Sequence, residues 1–356
     1  MSPSVSVIMS AYNTETYIER CLKSVLQQSF TDLELIVVNN GSTDGTGSVI
    51  HEYAQKDSRV FVIDLEQNIA PSSALNMAMD RADGEYLCVI DSDDWIEQDM
   101  LTTLYSRASS RMAQLAYCGF YMDYLLKDRT YSFDICLKDA DYTQMEFRQH
   151  AAEDITRMAL TVYWNKLIRL DYIRTHGVQF RDTKMFDHHF NMDIIRDVEI
   201  VSVVGKPLYH YIRAREGSYM GSNPNLNRKK REHFAHTMAV YEHWGALDQG
   251  TVGKLAAYQL AQLVRCVVDT VNGKSTKSSK NNELKTIFDD QWTKFAIDNC
   301  PKGLKSALFA ILLHSRNYTL CRLFGLLVGS FQRCMPGTYY TMRAAIAQKR
   351  AAEVTK

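Results

Sequence analysis

The sequence predicts an α/β protein with a mostly parallel central sheet flanked by helices and a helical C-terminal extension. Three observations predict it. Through roughly residue 90, short apolar runs alternate with segments whose apolar residues recur at helical spacing, the β-α-β order of a parallel sheet. Polar residues gather where those runs end, the edge at which open α/β sheets bind ligands. From about residue 225 onward the periodicity is helical.

The elements follow in order. Val5-Ser-Val-Ile-Met9 reads as a buried strand. Glu15 to Gln28 is a helix with its apolar stripe at Ile18, Leu22, Val25 and Leu26. Leu33-Glu-Leu-Ile-Val-Val38 is a second strand. Gly41-Ser-Thr-Asp44 is turn chemistry, with Asp44 or Thr43 placed to cap a helix running toward Ala54. Val60-Phe-Val-Ile63 is a third strand. Pro71 to Ala82 is a third helix, with Pro71 in its first turn and Gly84 just past its end. Tyr86-Leu-Cys-Val-Ile90 is a fourth strand that runs directly into Asp91. From Leu101 to Tyr211 the pattern is mixed. Residues 225–270 read as helical, and 272–285, rich in Lys, Ser and Asn, as a polar linker. Beyond it Leu304, Leu308, Ile311, Leu320, Leu323 and Leu327 are among the apolar residues at helical spacing.

Composition bounds the function. Of 356 residues, 41 are Lys or Arg and 41 are Asp or Glu, so the formal net charge is zero, which argues against a globally basic nucleic-acid binder. The balance is uneven: residues 301–356 hold nine Lys/Arg against the single acid Glu353. The eight cysteines show no C-x-x-C spacing, and the first residues lack the basic and apolar segments of a signal peptide. No apolar run reaches the roughly 18 residues that span a bilayer. The expectation is a cytoplasmic chain with reduced thiols. Its basic, apolar C-terminal helices either pack on the catalytic domain or lie on an anionic membrane face.

Asp91-Ser-Asp-Asp94 is the sharpest chemical feature. Three carboxylates in four residues repel one another unless something offsets the repulsion. A divalent cation (Mg²⁺ or Mn²⁺) does so, and Mg²⁺ is commonly shared between one or two carboxylates and the phosphates of a substrate. An acidic turn or helix cap is the plainer alternative, and placement at the end of an apolar strand disfavours it.

Four ordered stretches resemble the inverting family 2 glycosyltransferases of bacterial surface-glycan synthesis. They are Val5-Ser-Val-Ile-Met-Ser-Ala-Tyr-Asn13, Ser24-Val-Leu-Gln-Gln-Ser-Phe30, Glu34-Leu-Ile-Val-Val-Asn-Asn-Gly-Ser-Thr-Asp44 and Gly84-Glu-Tyr-Leu-Cys-Val-Ile-Asp-Ser-Asp-Asp94. Weaker similarity continues through Tyr163-Trp-Asn-Lys-Leu167, Asp187-His-His-Phe190 and the stretch from Leu208 to Ser218. The resemblance implies a GT-A-like fold. Residues 1–105 would be a nucleotide-sugar-binding half and 106–222 an acceptor-binding half of one catalytic domain. A helical segment (223–271), the linker (272–285) and the basic amphipathic region (286–356) would follow. It implies transfer of a sugar from a nucleotide sugar, UDP-linked, to a glycan or lipid-linked glycan acceptor with inversion. By the same resemblance Tyr12, Asn13 and Asn40 belong to the donor pocket, Asp91 reaches toward the ribose or phosphates, Asp93 ligates the metal, and Asp187 is the general base. Arg213 and Arg215, with His210, are candidates to cover the phosphates. Trp164, His188 and His189 are candidates on the acceptor side, although two adjacent histidines on a helix do not share a face.

The chain departs from the family's pattern at Ser10 for a proline, Asn40 for an aspartate, Ile69-Ala70 for a Gly-Gly, Leu75 for an arginine and Phe186 for a glutamate. The departures at Asn40, Leu75 and Phe186 motivate an alternative, a degenerate non-catalytic chain that binds a glycan or an enzyme. A nucleotidylyltransferase would need a Gly-rich loop after the first strand, and Ser10-Ala-Tyr-Asn13 is not one.

Overall fold

The computed structural model describes residues 2–126, 129–183, 185–213, 226–301 and 303–335, with 337–339, 341, 342 and 345 beyond them. The chain divides into two compact units, one comprising residues 1–147 and 157–216 and the other 148–156 and 217–345.

The first unit is built around β1 (Val5–Ala11), which lies between β2 (Leu33–Asn39) and β4 (Tyr86–Val89) and pairs in parallel with both. Helices cover both faces of such a strand, which is why its apolar run is nearly continuous instead of alternating. α1 (Glu15–Leu26) connects β1 to β2, α2 (Thr46–Lys56) leads to β3 (Val60–Asp64), and α3 (Pro71–Arg81) leads to β4. Pro71 opens α3, where its missing N–H costs nothing. Asp44 starts two helices at once: its carboxylate accepts from Thr46 N at 3.0 Å and from Glu15 N at 3.2 Å. At the opposite edge the buried Ser6 hydroxyl donates to Glu34 Oε1 at 2.6 Å and accepts from Gly84 N at 2.8 Å, tying together the ends where β1, β2 and β4 begin.

The parallel order holds from β3 through β2 and β1 to β4 and then becomes mixed. After β5 (Trp95–Ile96), α4 (Met100–Arg111) carries the chain back to β6 (Leu115–Leu126). The gap between β4 and β6 is filled by β9 (Lys166–Arg169), antiparallel to both. β7 (Arg129–Ile135) returns beside β6, then come β8 (Ala140–Thr143) and α5 (Gln144–Thr156). α6 (Leu170–His176) and α7 (Phe186–Ile195) follow β9, and β10 (Ile200–Arg213) pairs in parallel with β6 and antiparallel with β5 and β8. The sheet is therefore mixed in its second half, where direct antiparallel returns take the place of helical crossovers.

The second unit contains α8 (Leu226–Trp244), α9 (Gln249–Asn272), α10 (Lys277–Asp289), α11 (Gln291–Asn299), α12 (Leu304–His314) and α13 (Tyr318–Cys334). α9 is its spine, with Leu260, Leu263 and Val267 in one cluster with Leu284, Ile287, Ala296, Leu312, Leu313 and Cys321. The expected linker at 272–285 is corrected here: only residues 273–276 lie between α9 and α10, and α10 takes the rest. Thr276 caps α10 by accepting from Ser279 N, and Leu284 and Ile287 bury its inner face. The polar composition belongs to the solvent side of a short helix with a narrow apolar stripe.

Candidate active site

The acidic cluster begins two residues beyond β4, where the chain turns: Asp94 N donates to Asp91 O at 3.1 Å. Carboxylate oxygens of Asp91, Asp93 and Asp94 all lie within 4.8 Å of one another. The three are not equivalent. Asp94 is fully buried, its Oδ1 accepting from Ile212 N and its Oδ2 from the Tyr209 hydroxyl, each at 2.7 Å. Burial, then the charges of Asp93 and Asp91, pushes its carboxyl well above the usual range. Asp94 is thus the anchor that fixes the turn to β10. Asp91 and Asp93 are half-buried.

Tyr209 holds both ends of the turn, because its hydroxyl also accepts from Asp91 N at 3.2 Å. Its ring stacks on Trp164, with centroids 4.2 Å apart. Trp164 is buried, with Phe120 on its edge and Tyr211 inclined beside it. Trp164, an acceptor-side candidate in the sequence, is a buried aromatic platform behind the cluster.

Tyr163 approaches Asp91 from the other side. Its hydroxyl donates to Asp91 Oδ1 at 2.5 Å, and its ring lies between Phe180 and Phe186. Burial, followed by the charges of Asp91 and Asp187, holds the phenol well above its ordinary value. Phe186, the residue before Asp187, stacks on the Tyr163 ring, which ties the start of α7 to the segment that reaches Asp91. Asp187 stands in the first turn of α7, where the helix dipole favours its charge. Burial outweighs this and pushes its carboxyl up to about 6, while the His188 N–H, donating to Oδ1 at 2.8 Å, pulls the other way.

Lys166 fixes the spacing between these two segments. Its buried ammonium donates to Ala159 O at 3.1 Å, to Val162 O and to Asn191 Oδ1 at 2.9 Å. Asn191 Nδ2 in turn donates to Asp187 O at 2.6 Å. Burial lowers Lys166 to about 7, although its three acceptors match the three protons of the charged form.

On the donor side, Tyr12 is 46% exposed and offers a ring face at the end of β1. Asn13 adopts φ 50°, and its Oδ1 accepts from Thr43 N at 2.9 Å, locking the turn after β1 to the turn after β2. Asn40 is buried and spends both amide atoms on one backbone unit: Nδ2 donates to Ile69 O at 3.0 Å and Oδ1 accepts from Ile69 N at 2.9 Å. Asn40 thus ties the loop after β2 to the backbone at Ile69. Gly41 follows at φ 67°, where a Cβ would stand 2.4 Å from the carbonyl carbon of Gln67. The close approach of these two loops requires glycine.

Several candidates fall elsewhere. His210 does not face phosphates: its Nδ1 pairs with Asp123 and its Nε2 with Glu97, each at 2.9 Å, and its ring lies between Trp95 and Tyr121. Arg213 lies over Tyr211 and donates to its hydroxyl at 3.0 Å. Arg215 is outside the described residues. His188 is buried and His189 half-buried. Leu75 is buried in α3, and Phe186 stacks on Tyr163. Asn40, Leu75 and Phe186 thus each have a partner or a buried place within the fold. Sequence reasoning assigned no role to Tyr163, Lys166 or Tyr209. Their only signal was membership of the two weaker similar stretches, and their partners lie far away in the chain.

Residues 6–161 match the family described as Glycosyl transferase family 2. The chain is 31% identical over 262 residues to the "Putative glycosyltransferase EpsH" of Bacillus subtilis (strain 168), covering 72% of each chain. It is 38% identical over 118 residues to the "Putative teichuronic acid biosynthesis glycosyltransferase TuaG" of the same organism, covering 33% of this chain and 47% of that one. Among solved structures, S. aureus TarS 1–349 in complex with UDP-GlcNAc shares the fold, with a TM-score of 0.62 at 20% identity, covering 94% of this chain and 92% of that one.

Proposed function

The chain belongs to the family 2 glycosyltransferases, and we propose that it moves a sugar from a UDP-linked donor to a glycan or lipid-linked glycan with inversion. The observation that carries the assignment of roles is the division within the acidic cluster. Asp94 is committed to Tyr209 and Ile212, while Asp91 and Asp93 remain half-buried beside it. Asp93, with Asp91, would hold a Mg²⁺ or Mn²⁺ ion, which when bound neutralises charge on the departing diphosphate. Hard carboxylate oxygens suit either ion. Tyr12 stacks on the nucleobase. Asp187 takes the proton of the acceptor hydroxyl, which attacks the anomeric carbon from the face opposite the diphosphate. A carboxyl near 6 is matched to that task at neutral pH. The UDP-GlcNAc complex of the structurally similar TarS and the teichuronic acid context of TuaG support the donor and the surface-glycan setting. A cytoplasmic position at the inner face of a membrane belongs to the same proposal, because a lipid-linked acceptor is met there.

Hydrolysis of UDP-sugars in Mn²⁺ or Mg²⁺, comparing wild type with Asp93→Ala, tests the metal assignment. Loss of activity is the expected result, and full activity in the variant would sink it.

A further inference from the structure

Two adjacent residues of β10 grip the chain on either side of the acidic cluster, from opposite faces of the sheet. Tyr209 holds the turn itself, through Asp94 and the Asp91 N–H. His210 holds the strand that leaves the turn. It stands opposite Trp95 in the antiparallel register of β10 and β5, and the two rings stack with centroids 3.4 Å apart. Its Nε2 reaches Glu97 Oε1 at 2.9 Å. Toward β6 its ring stacks on Tyr121, and its Nδ1 lies 2.9 Å from Asp123 Oδ2. An ionised carboxylate only accepts, so both ring nitrogens donate. Asp123 is 5% exposed, and its Oδ1 has no hydrogen-bond partner among the described residues. The imidazole therefore offsets the burial of that carboxylate, and the two carboxylates together fix the plane of the ring. A ring that only filled space would need neither.

We propose that His210 is a positioning residue for the metal-binding carboxylates, acting through Trp95 and Arg20. The path is short. Trp95 follows Asp94 directly in the chain. Arg20 of α1 lies over the Trp95 ring, 5.9 Å from its centroid, and donates to Asp93 O at 3.4 Å. The Trp95 ring thus meets both the locked imidazole and a guanidinium that touches the main chain of Asp93. The backbone of Glu97 is fixed independently: its N–H donates to Leu208 O at 2.9 Å, and its carbonyl accepts from Gln28 Nε2 at 2.7 Å. The strand therefore keeps its place without the imidazole. What His210 sets is the seat of the Trp95 ring, and through it the donor that holds Asp93. This role rests on the reading of Asp91 and Asp93 as the ligands of a divalent cation.

Calorimetry of the full chain with Mn²⁺ in the presence of UDP tests it, at a temperature well below each variant's melting point. His210→Ala should weaken Mn²⁺ by about tenfold or more, the scale on which partners that orient metal ligands act. His210→Phe keeps a ring against Trp95 and should restore most of that affinity. Both variants strand the buried Asp123 carboxylate, so both should melt lower than wild type. Positioning thus separates the two variants, whereas a merely structural role would move them together. Turnover of each at saturating Mn²⁺ should change little. Trp95→Leu, at a half-buried position, should weaken Mn²⁺ as His210→Ala does, and it decides the matter if His210→Ala does not fold. Metal affinity that is unchanged in His210→Ala or in Trp95→Leu, or that is equally weak in the alanine and phenylalanine variants, overturns the proposal alone. Wild type that binds UDP equally well without Mn²⁺ overturns the metal reading and this role with it.

Discussion

Asp187 is the residue whose chemistry and stability pull in opposite directions. Its folded value near 6 lies above the ordinary carboxylate value, so it favours the fold while protonated and loses that contribution as pH rises through about 6. Catalysis needs the opposite form. The kcat/KM profile should therefore fall on the acid side with a midpoint near 6. Asp187→Asn should lower kcat by about 10²–10⁴-fold while melting at a higher temperature than wild type above pH 6. A variant with unchanged turnover would remove Asp187 from the reaction. Tyr163→Phe is a milder change: the ring stays between Phe180 and Phe186, and Asp91 loses the hydroxyl. Steady-state kinetics should show about a tenfold loss in kcat/KM, with a melting shift of a degree or two, the scale of one hydrogen bond of about 1 kcal/mol. Asp91 and Asp93 were legible in the sequence because they are neighbours at a strand end. Tyr163 and Tyr209 were not, because their partners lie 72 and 115 positions away and no local pattern encodes such pairs.

At the scale of elements, β1, β2 and β4 were readable because strands buried on both faces leave long apolar runs. β9 was not readable as a strand, since its four residues are placed by antiparallel partners on both sides. The same geometry makes Lys166 a joint between elements, as it begins β9 and its amine reaches the carbonyls of the preceding turn and Asn191 on α7. Lys166→Met would fill the volume and leave those acceptors without a proton. Urea denaturation should show a loss of about 2–5 kcal/mol, since each stranded buried acceptor costs about 1–3 kcal/mol. A change below 1 kcal/mol would mean water replaces the amine. In the second unit, α13 approaches α9 through glycine: a Cβ at Gly325 would stand 2.7 Å from Val271 Cβ. Gly325→Leu forces the helices apart, and overpacking of this kind costs about 1–3 kcal/mol. A lowered melting temperature is the expected reading, and an unchanged one would show that α13 shifts without cost.

At the scale of the molecule, zero net charge conceals concentrations of opposite sign: carboxylates at residues 91–94 and bases beyond residue 301. The first concentration decides how a donor is bound. A diphosphate must approach Asp91 and Asp93, and two like unit charges about 4 Å apart repel by about 4 kcal/mol at the effective dielectric of a protein surface. A divalent cation shared between the carboxylates and the diphosphate offsets that repulsion. Calorimetry should therefore show UDP binding in Mn²⁺ that weakens at least about a hundredfold in chelator. The fold itself should not need the ion, because Asp94 carries the structural bonds of the turn and makes them to Tyr209 and Ile212. Circular dichroism should thus be unchanged by chelation. Asp94→Ala should lower stability by about 1–3 kcal/mol, since it strands the Ile212 N–H. Asp93→Ala should leave stability nearly intact and abolish the metal dependence of UDP binding. Equal metal dependence in the two variants would mean that the buried and half-buried carboxylates do not divide the work, and the assignment of Asp93 would fall with it.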